Sequence, residues 1–275
     1  MGTTARILQP CLLCHLTPAQ VQRLPLDDAQ RFGKIGDWFD VSIGPSESTV
    51  HQLVLEGDCS GLDFVGQSMS AGTLLVVGDV GRGAAWQMSG GQMQVSGNVG
   101  SHAATSMTGG ALRIDGSAGD FLAGPAPGQR VGLATGSIRI AGGAGDFLGR
   151  RMRSGLIAVG GSVGQYPGID MVAGTIAVGG ALPETAGWGM KRGTLFCGSP
   201  PEKLAGGFSH PRLETPAVWP LLRWWLRQRA APGSLLDLIL QTQGFPLYRS
   251  LGDRATWGMG EIIWPATELS SVFPT

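Results

Sequence analysis

The chain has 275 residues, a formal net charge of zero at pH 7, and only 15% charged residues beside 46 glycines. Balanced charge gives no general electrostatic reason to expect nucleic acid or an anionic membrane as partner, and no run of 18 apolar residues is present to form a spanning helix. A hydrophobic content of 43% is enough for a packed core, so the glycine belongs to a fold rather than to low complexity.

The opening "MGTTARILQP" lacks a signal-peptide apolar stretch, which predicts a cytoplasmic protein. "CLLCH", Cys11–His15, matches the C-x-x-C-H of covalent haem attachment. That chemistry follows export, and Cys59 and Cys197 supply neither a second C-x-x-C for zinc nor the close spacing of an iron–sulfur site. The expectation is a reduced pair on an extended N-terminal segment, with no metal on the chain. Thr17 followed by Pro18 predicts a short capped helix. Residues 1–50 thus form an N-terminal cap segment.

From residue 51 the sequence repeats. The glycines Gly72, Gly91, Gly110, Gly136, Gly155, Gly174 and Gly193 each open an alternating run, at steps of 19, 19, 26, 19, 19 and 19 residues. Two residues after each lies an apolar side chain (Leu74, Met93, Leu112, Ile138, Ile157, Ile176, Leu195), and four after lies another (Val76, Val95, Ile114, Ile140, Val159, Val178, Cys197). Alternation with period two describes strands with one buried face. A third column holds Met69, Met88, Met107, Leu133, Met152, Met171 and Met190. Thioethers bind soft metals, but one per coil makes a stack rather than a cage, so these are predicted to fill the core. Units this short hold one turn of a parallel β-helix, in which each coil buries its face only against its neighbours. The predicted class is all-β: a right-handed parallel β-helix of about 19-residue coils over residues 51–198, with strands about 4.8 Å apart.

"GGAGDFLG", residues 142–149, resembles a dinucleotide fingerprint, but no helix follows and the repeat accounts for its glycines. Asp120-Phe121, Asp146-Phe147 and Gln165-Tyr166 occupy one place in three coils, predicting an aromatic ladder. His15, His51, His102 and His210 are scattered, and no paired-carboxylate or nucleophile–base arrangement keeps register, so catalytic residues are expected to be absent. Two features break the repeat. The long unit places a Pro/Gly-rich insertion at residues 123–131, with Pro125, Pro127 and Arg130, and such loops contact partners. A basic group, Arg150, Arg151, Arg153, Lys191 and Arg192, gathers across two coils, with Arg153 and Lys191 in one column about 10 Å apart.

Residues 199–275 begin with the linker "GSPPEKLAGGFSHP". "PAVWPLLRWWLRQRA" predicts a helix with Leu221, Leu222, Trp225 and Leu226 on its apolar face. "GSLLDLILQTQG" predicts a second, capped by Ser234 and ended by Gly244. The tail "YRSLGDRATWGMGEIIWPA" ends in a predicted strand.

The coils "GTLLVVGDVG", "GQMQVSGNVG", "ALRIDGSAGDFLAG" and "GTIAVGG" resemble the Gly-rich β-helix shared by glutamate synthase C-terminal domains and the C subunit of formylmethanofuran dehydrogenase. The place of the long unit and the ending "GDRATWGMGEIIWP" resemble the C subunit in its bacterial form, part of the formyltransferase/hydrolase complex of methylotrophs. The resemblance implies a non-catalytic scaffold subunit in tetrahydromethanopterin-linked oxidation of formaldehyde to formate. It implies amidohydrolase-like, formyltransferase and dehydrogenase-like partner subunits, a methanofuran-type carrier, and metal in other subunits rather than here. The alternatives are the C subunit of a tungsten or molybdenum formylmethanofuran dehydrogenase, or a glutamate-synthase-like β-helix domain.

Overall fold

Strand positions follow the alternation in the sequence. The computed structural model describes residues 3–4, 10–13, 15–26, 33–42, 51–214, 216–241, 246–256 and 258–266. In chain order it begins with β1 (Thr3–Thr4), α1 (Pro10–Leu13) and α2 (Pro18–Arg23). The coils then run through β2 (Gln52–Glu56), β3 (Leu62–Asp63), β4 (Thr73–Val77), β5 (Gln92–Val95), β6 (Ala111–Ile114), β7 (Ser137–Ile140), β8 (Leu156–Val159), β9 (Thr175–Val178) and β10 (Arg192–Cys197). The chain ends in β11 (Arg212–Leu213), α3 (Trp219–Arg227), α4 (Leu235–Gln241), β12 (Leu247–Gly252) and β13 (Met259–Pro265).

Eleven strands make one sheet in the order β11-β12-β13-β10-β9-β8-β7-β6-β5-β4-β2. From β2 to β10 every neighbour is parallel and in the register the repeat predicts, for example Met93↔Leu112↔Ile138. The fold is a parallel β-solenoid of about 19-residue coils. Both inward columns and the methionine column are buried: Leu74, Ile140, Met107 and Leu133 are each 0% exposed. The glycines are steric requirements. Gly91 has φ +77°, and a Cβ on it would meet the Gly72 carbonyl oxygen at 2.7 Å; Gly110, φ +84°, would meet that of Gly91 at 2.8 Å.

A second ladder closes the coil, bridging Val80↔Val99↔Ala118↔Ala144↔Val163. Beyond it the chain turns through alternate left-handed residues. In the coil of Phe121 these are Phe121 (φ 59°) and Ala123 (φ 61°). The Phe121 amide donates to Asp146 in the next coil and the Ala123 amide to Ala103 in the previous one, each at 2.8 Å. Left-handed backbone is unfavourable for L-residues. Here it aims successive amides at opposite neighbours, and stacking repays the local cost.

Both ends are closed. Leu13, Val21, Leu26 and Ile35 join the core at one end, and Ile262 and Trp264 at the other. Thr17 caps α2 with a capping box to Gln20, as its sequence predicts. α1 is a correction: Cys11 stands in a helical turn and not on an extended segment. Cys14 lies outside the described residues. The C-terminal tail also differs from its reading. It supplies two strands rather than one, and β13 pairs parallel with β10 (Leu195↔Ile262) before β12 folds back antiparallel on it.

The two predicted helices form, and Ser234 accepts from the Asp237 amide at 3.3 Å at the start of α4. Gly244 lies outside the described residues. The apolar face of α3 is rotated from its predicted place. Leu221 is 65% exposed, whereas Trp219 is buried and stacks on Phe196 with ring centroids 5.3 Å apart. The reason is the surface on which the helix lands. One outward column of the sheet runs Val54, Leu75, Gln94, Arg113, Arg139, Ala158, Ala177, Phe196 and Ile263 in register. α3 and α4 cover only the part from Ala158 onward, in a separate core with Leu226, Leu236, Ile239 and Leu240.

Candidate interaction surfaces

The insertion and the basic group meet. Ala123 is the last residue of its coil in register, Leu133 resumes it, and the Leu133 amide donates back to the Ala123 carbonyl at 2.9 Å. The excursion between them is pinned at its base, where the Gly132 amide donates to the Arg151 carbonyl at 3.1 Å and Ser106 Oγ to that of Val131 at 3.2 Å. Pro125 is half-buried, while Pro127 and Arg130 are exposed at the tip. Arg150 and Arg151 lie beside this base. Arg151 pairs with Asp170 at 3.4 Å. Arg150 is half-buried, and its Nε is buried without a hydrogen-bond partner. An unpaired buried donor costs free energy unless something outside the chain meets it. Arg153 and Lys191 are both exposed in one column with Val172, 40% exposed, between them, and Arg192 is exposed at the start of β10.

Along another corner runs the predicted aromatic ladder, longer than its sequence pattern. His102, Phe121, Phe147 and Tyr166 stack with centroids 4.9, 4.9 and 5.2 Å apart and planes within 7°. Where the column holds Gly83 and Thr185 instead of a ring, Trp86 and Trp188, each three residues on, reach back to fill the gap. The same three-residue offset at both places is a sequence signal that lies off the 19-residue period. Asp120 and Asp146 flank the rings, and each Oδ1 accepts the backbone amide of the next coil, Asp146 at 2.9 Å and Gln165 at 2.7 Å. Stacked rings present edges rather than faces to solvent, so this corner is a structural spine. Burial and the Arg82 charge hold His102 below the usual imidazole range, against an opposing pull from Asp120.

Trp188 ends the stack, 55% exposed, on the wall of a cleft of about 660 Å³ shared with Glu184, Asp253 and Arg254. The cleft carboxylates are already engaged. Glu184 pairs with Lys203 at 2.7 Å, and Asp253 accepts from the Ala255 amide at 2.9 Å.

Among the described residues no three His, Cys, Asp or Glu side chains cluster as metal ligands, and no helix is long and apolar enough to cross a membrane. Cys59 and Cys197 are buried free thiols, and desolvation pushes both above the ordinary thiol range. Of the C-terminal tryptophans, Trp219 and Trp264 are 5% exposed and belong to the chain's own core, whereas Trp224 is 59% exposed. Trp257 lies outside the described residues.

No family model matches the chain. It is 38% identical over 75 residues to the C subunit of the formyltransferase/hydrolase complex Fhc of Methylorubrum extorquens, a stretch covering 27% of each protein. Its structure superposes on a chain of the crystal structure of the formyltransferase/hydrolase complex FhcABCD of Methylorubrum extorquens in complex with methylofuran. The TM-score is 0.85 and the identity 35%, over 97% of this chain and 96% of that one. Agreement over whole length at this identity, with the named subunit matching in sequence, decides the assignment: the chain belongs to the C-subunit family of the formyltransferase/hydrolase complex.

Proposed function

We propose that the chain is the scaffold subunit of a formyltransferase/hydrolase complex serving tetrahydromethanopterin-linked oxidation of formaldehyde to formate. The observation that carries this reading is the match to a chain of that complex along almost the full length of both. In this reading residues 51–198 are the rod, and residues 1–50 and 199–275 are its two ends. Formyl transfer to a methanofuran-type carrier, and hydrolysis of the formylated carrier to formate, take place on formyltransferase and amidohydrolase-like partner subunits; a dehydrogenase-like subunit completes the assembly. Metal belongs to those partners. A coil stack held by backbone ladders is stiff along its axis, which suits a part that sets the distance between active sites.

The insertion at 123–131, with Pro125, Pro127 and Arg130, is proposed as one contact. Arg150, Arg151, Arg153, Lys191 and Arg192 are proposed as a second, meeting an acidic partner surface or the anionic part of the carrier. The unpartnered Arg150 Nε supports it. Surface charges of this kind mainly steer and position. The test is reconstitution with and without the chain. Omitting it should break the assembly and abolish coupled transfer to formate, while a separately purified transferase subunit keeps partial activity. Full assembly and turnover without the chain, or conversion of a formylated substrate by the chain alone, would overturn the reading.

A further inference from the structure

The sheet's outer face changes character between β7 and β8, where the cover of α3 and α4 stops. At that seam Arg113 and Arg139 stand directly opposite each other on neighbouring strands. Like charges in a cross-strand pair are unfavourable. Asp115 accepts from Arg113 Nε at 2.6 Å and from Gln94 Nε2 at 3.1 Å, so its two oxygens are engaged. Arg139, half-buried, has no hydrogen bond or ion pair among the described residues. The turn after α3 overhangs the pair with Arg229, closing a groove of about 290 Å³. Arg229 itself lies over the Trp225 ring at 4.7 Å.

Three guanidinium groups around one groove, with a single carboxylate already committed, leave positive charge that an anion would balance. Guanidinium favours the two oxygens of a carboxylate, which it binds with paired hydrogen bonds. The groove is at the lower limit of what a small-molecule site occupies, about 300 Å³, which admits an acidic side chain with room to spare. It also opens onto apolar ground: along the same uncovered face Val54 is 43% and Val77 51% exposed. Arginine is enriched among the residues that carry interface energy, so an unmatched arginine beside exposed apolar surface suits a protein interface.

We propose that this uncovered face docks an acidic segment of another subunit, with an Asp or Glu side chain entering the groove between Arg113 and Arg139. The proposal rests on the reading of the chain as a subunit, and the experiment separates the two. The tagged chain is co-expressed with the formyltransferase/hydrolase partner subunits, and co-purification is compared for wild type, Arg139→Glu and Arg139→Gln, alongside melting temperatures. Arg139 has no hydrogen bond or ion pair among the described residues to lose in either variant, and the introduced carboxylate of Arg139→Glu meets Arg113 on one side and Asp115 on the other. Melting temperatures should therefore stay level. Partner capture should fall at least tenfold for Arg139→Glu at low salt and several-fold for Arg139→Gln, with the gap narrowing as salt screens the pair. If wild type captures no partner, the subunit reading itself fails. If wild type captures and both variants capture equally, the docking proposal alone is overturned. Uptake of citrate by the groove with capture unchanged overturns it too, marking a small-anion site. A fall in melting temperature of several degrees in both variants would make Arg139 an internal structural residue and overturn it equally.

Discussion

The two halves of the sheet's outer face are built on the same coil and differ only in what stands on it. Under α3 and α4 the outward column carries Ala158, Ala177 and Phe196, each at most 1% exposed. On the open half the same column carries Leu75, Gln94, Arg113 and Arg139, all half-exposed. The residue after each inward pair changes in step. Val77, Ser96, Asp115 and Ala141 bear side chains, whereas Gly160, Gly179 and Gly198 bear none. A Cβ on Gly179 would lie 2.7 Å from the Leu236 amide nitrogen and against the Gly160 carbonyl oxygen; one on Gly198 would strike Ile239. The backbone ladder specifies the rod, and the outward residues specify whether it is covered from within the chain or left for something else.

The largest expected effect breaks the covered half. Ala177→Glu buries an unpaired charge under the helices and should cost about 4 kcal/mol. Ala111→Glu, outward on the open half, should stay within about 1 kcal/mol. Urea unfolding of the two variants measures the difference directly, and equal costs would mean that the helices do not seal the face. Next in size is Phe196→Ala, which empties the contact with Trp219 and should cost about 3 kcal/mol with loss of helical circular dichroism. Leu75→Ala, its half-exposed counterpart, should cost about 1 kcal/mol. The ring stack runs past both halves and serves as the internal control. Phe121→Ala and Tyr166→Ala should each cost about 2 kcal/mol, alike within error, because neither ring meets the helices.

The smallest effect is a pH dependence. His102 has a lowered pKa in the fold, so the unfolded chain takes up its proton at a higher pH than the folded chain does. Its contribution is therefore fully present above the unfolded value of about 6.5, and stability declines as pH falls through that value toward the folded one. Melting temperature should drop more between pH 7.5 and 5.5 in wild type than in His102→Phe, which keeps the stack without the titrating ring. Parallel slopes for the two proteins would remove His102 as the cause.

The period of 19 residues, the two inward columns and the methionine column are local consequences of the sequence, because a coil's inside is set by alternation and its corners by glycine. Those features and the long unit could be read without coordinates, and so could the family. The orientation of α3 could not. Its helical pattern offers several apolar stripes, and only the landing surface of Ala158, Ala177 and Phe196 selects Trp219 over Leu221. Strands "LIAV" and "TIAV" did carry a trace of that surface, since their outward alanines break the polar alternation seen in "SIRI" and so mark a sheet buried on both sides. The return of β13 to β10 was hidden because strand pairing across a long excursion leaves no mark on either segment alone. The groove at Arg139 was hidden for the same reason. Arg113 and Arg139 are 26 residues apart in the sequence, and only the register of β6 and β7, with the turn after α3 above them, turns two ordinary surface arginines into one unbalanced charge.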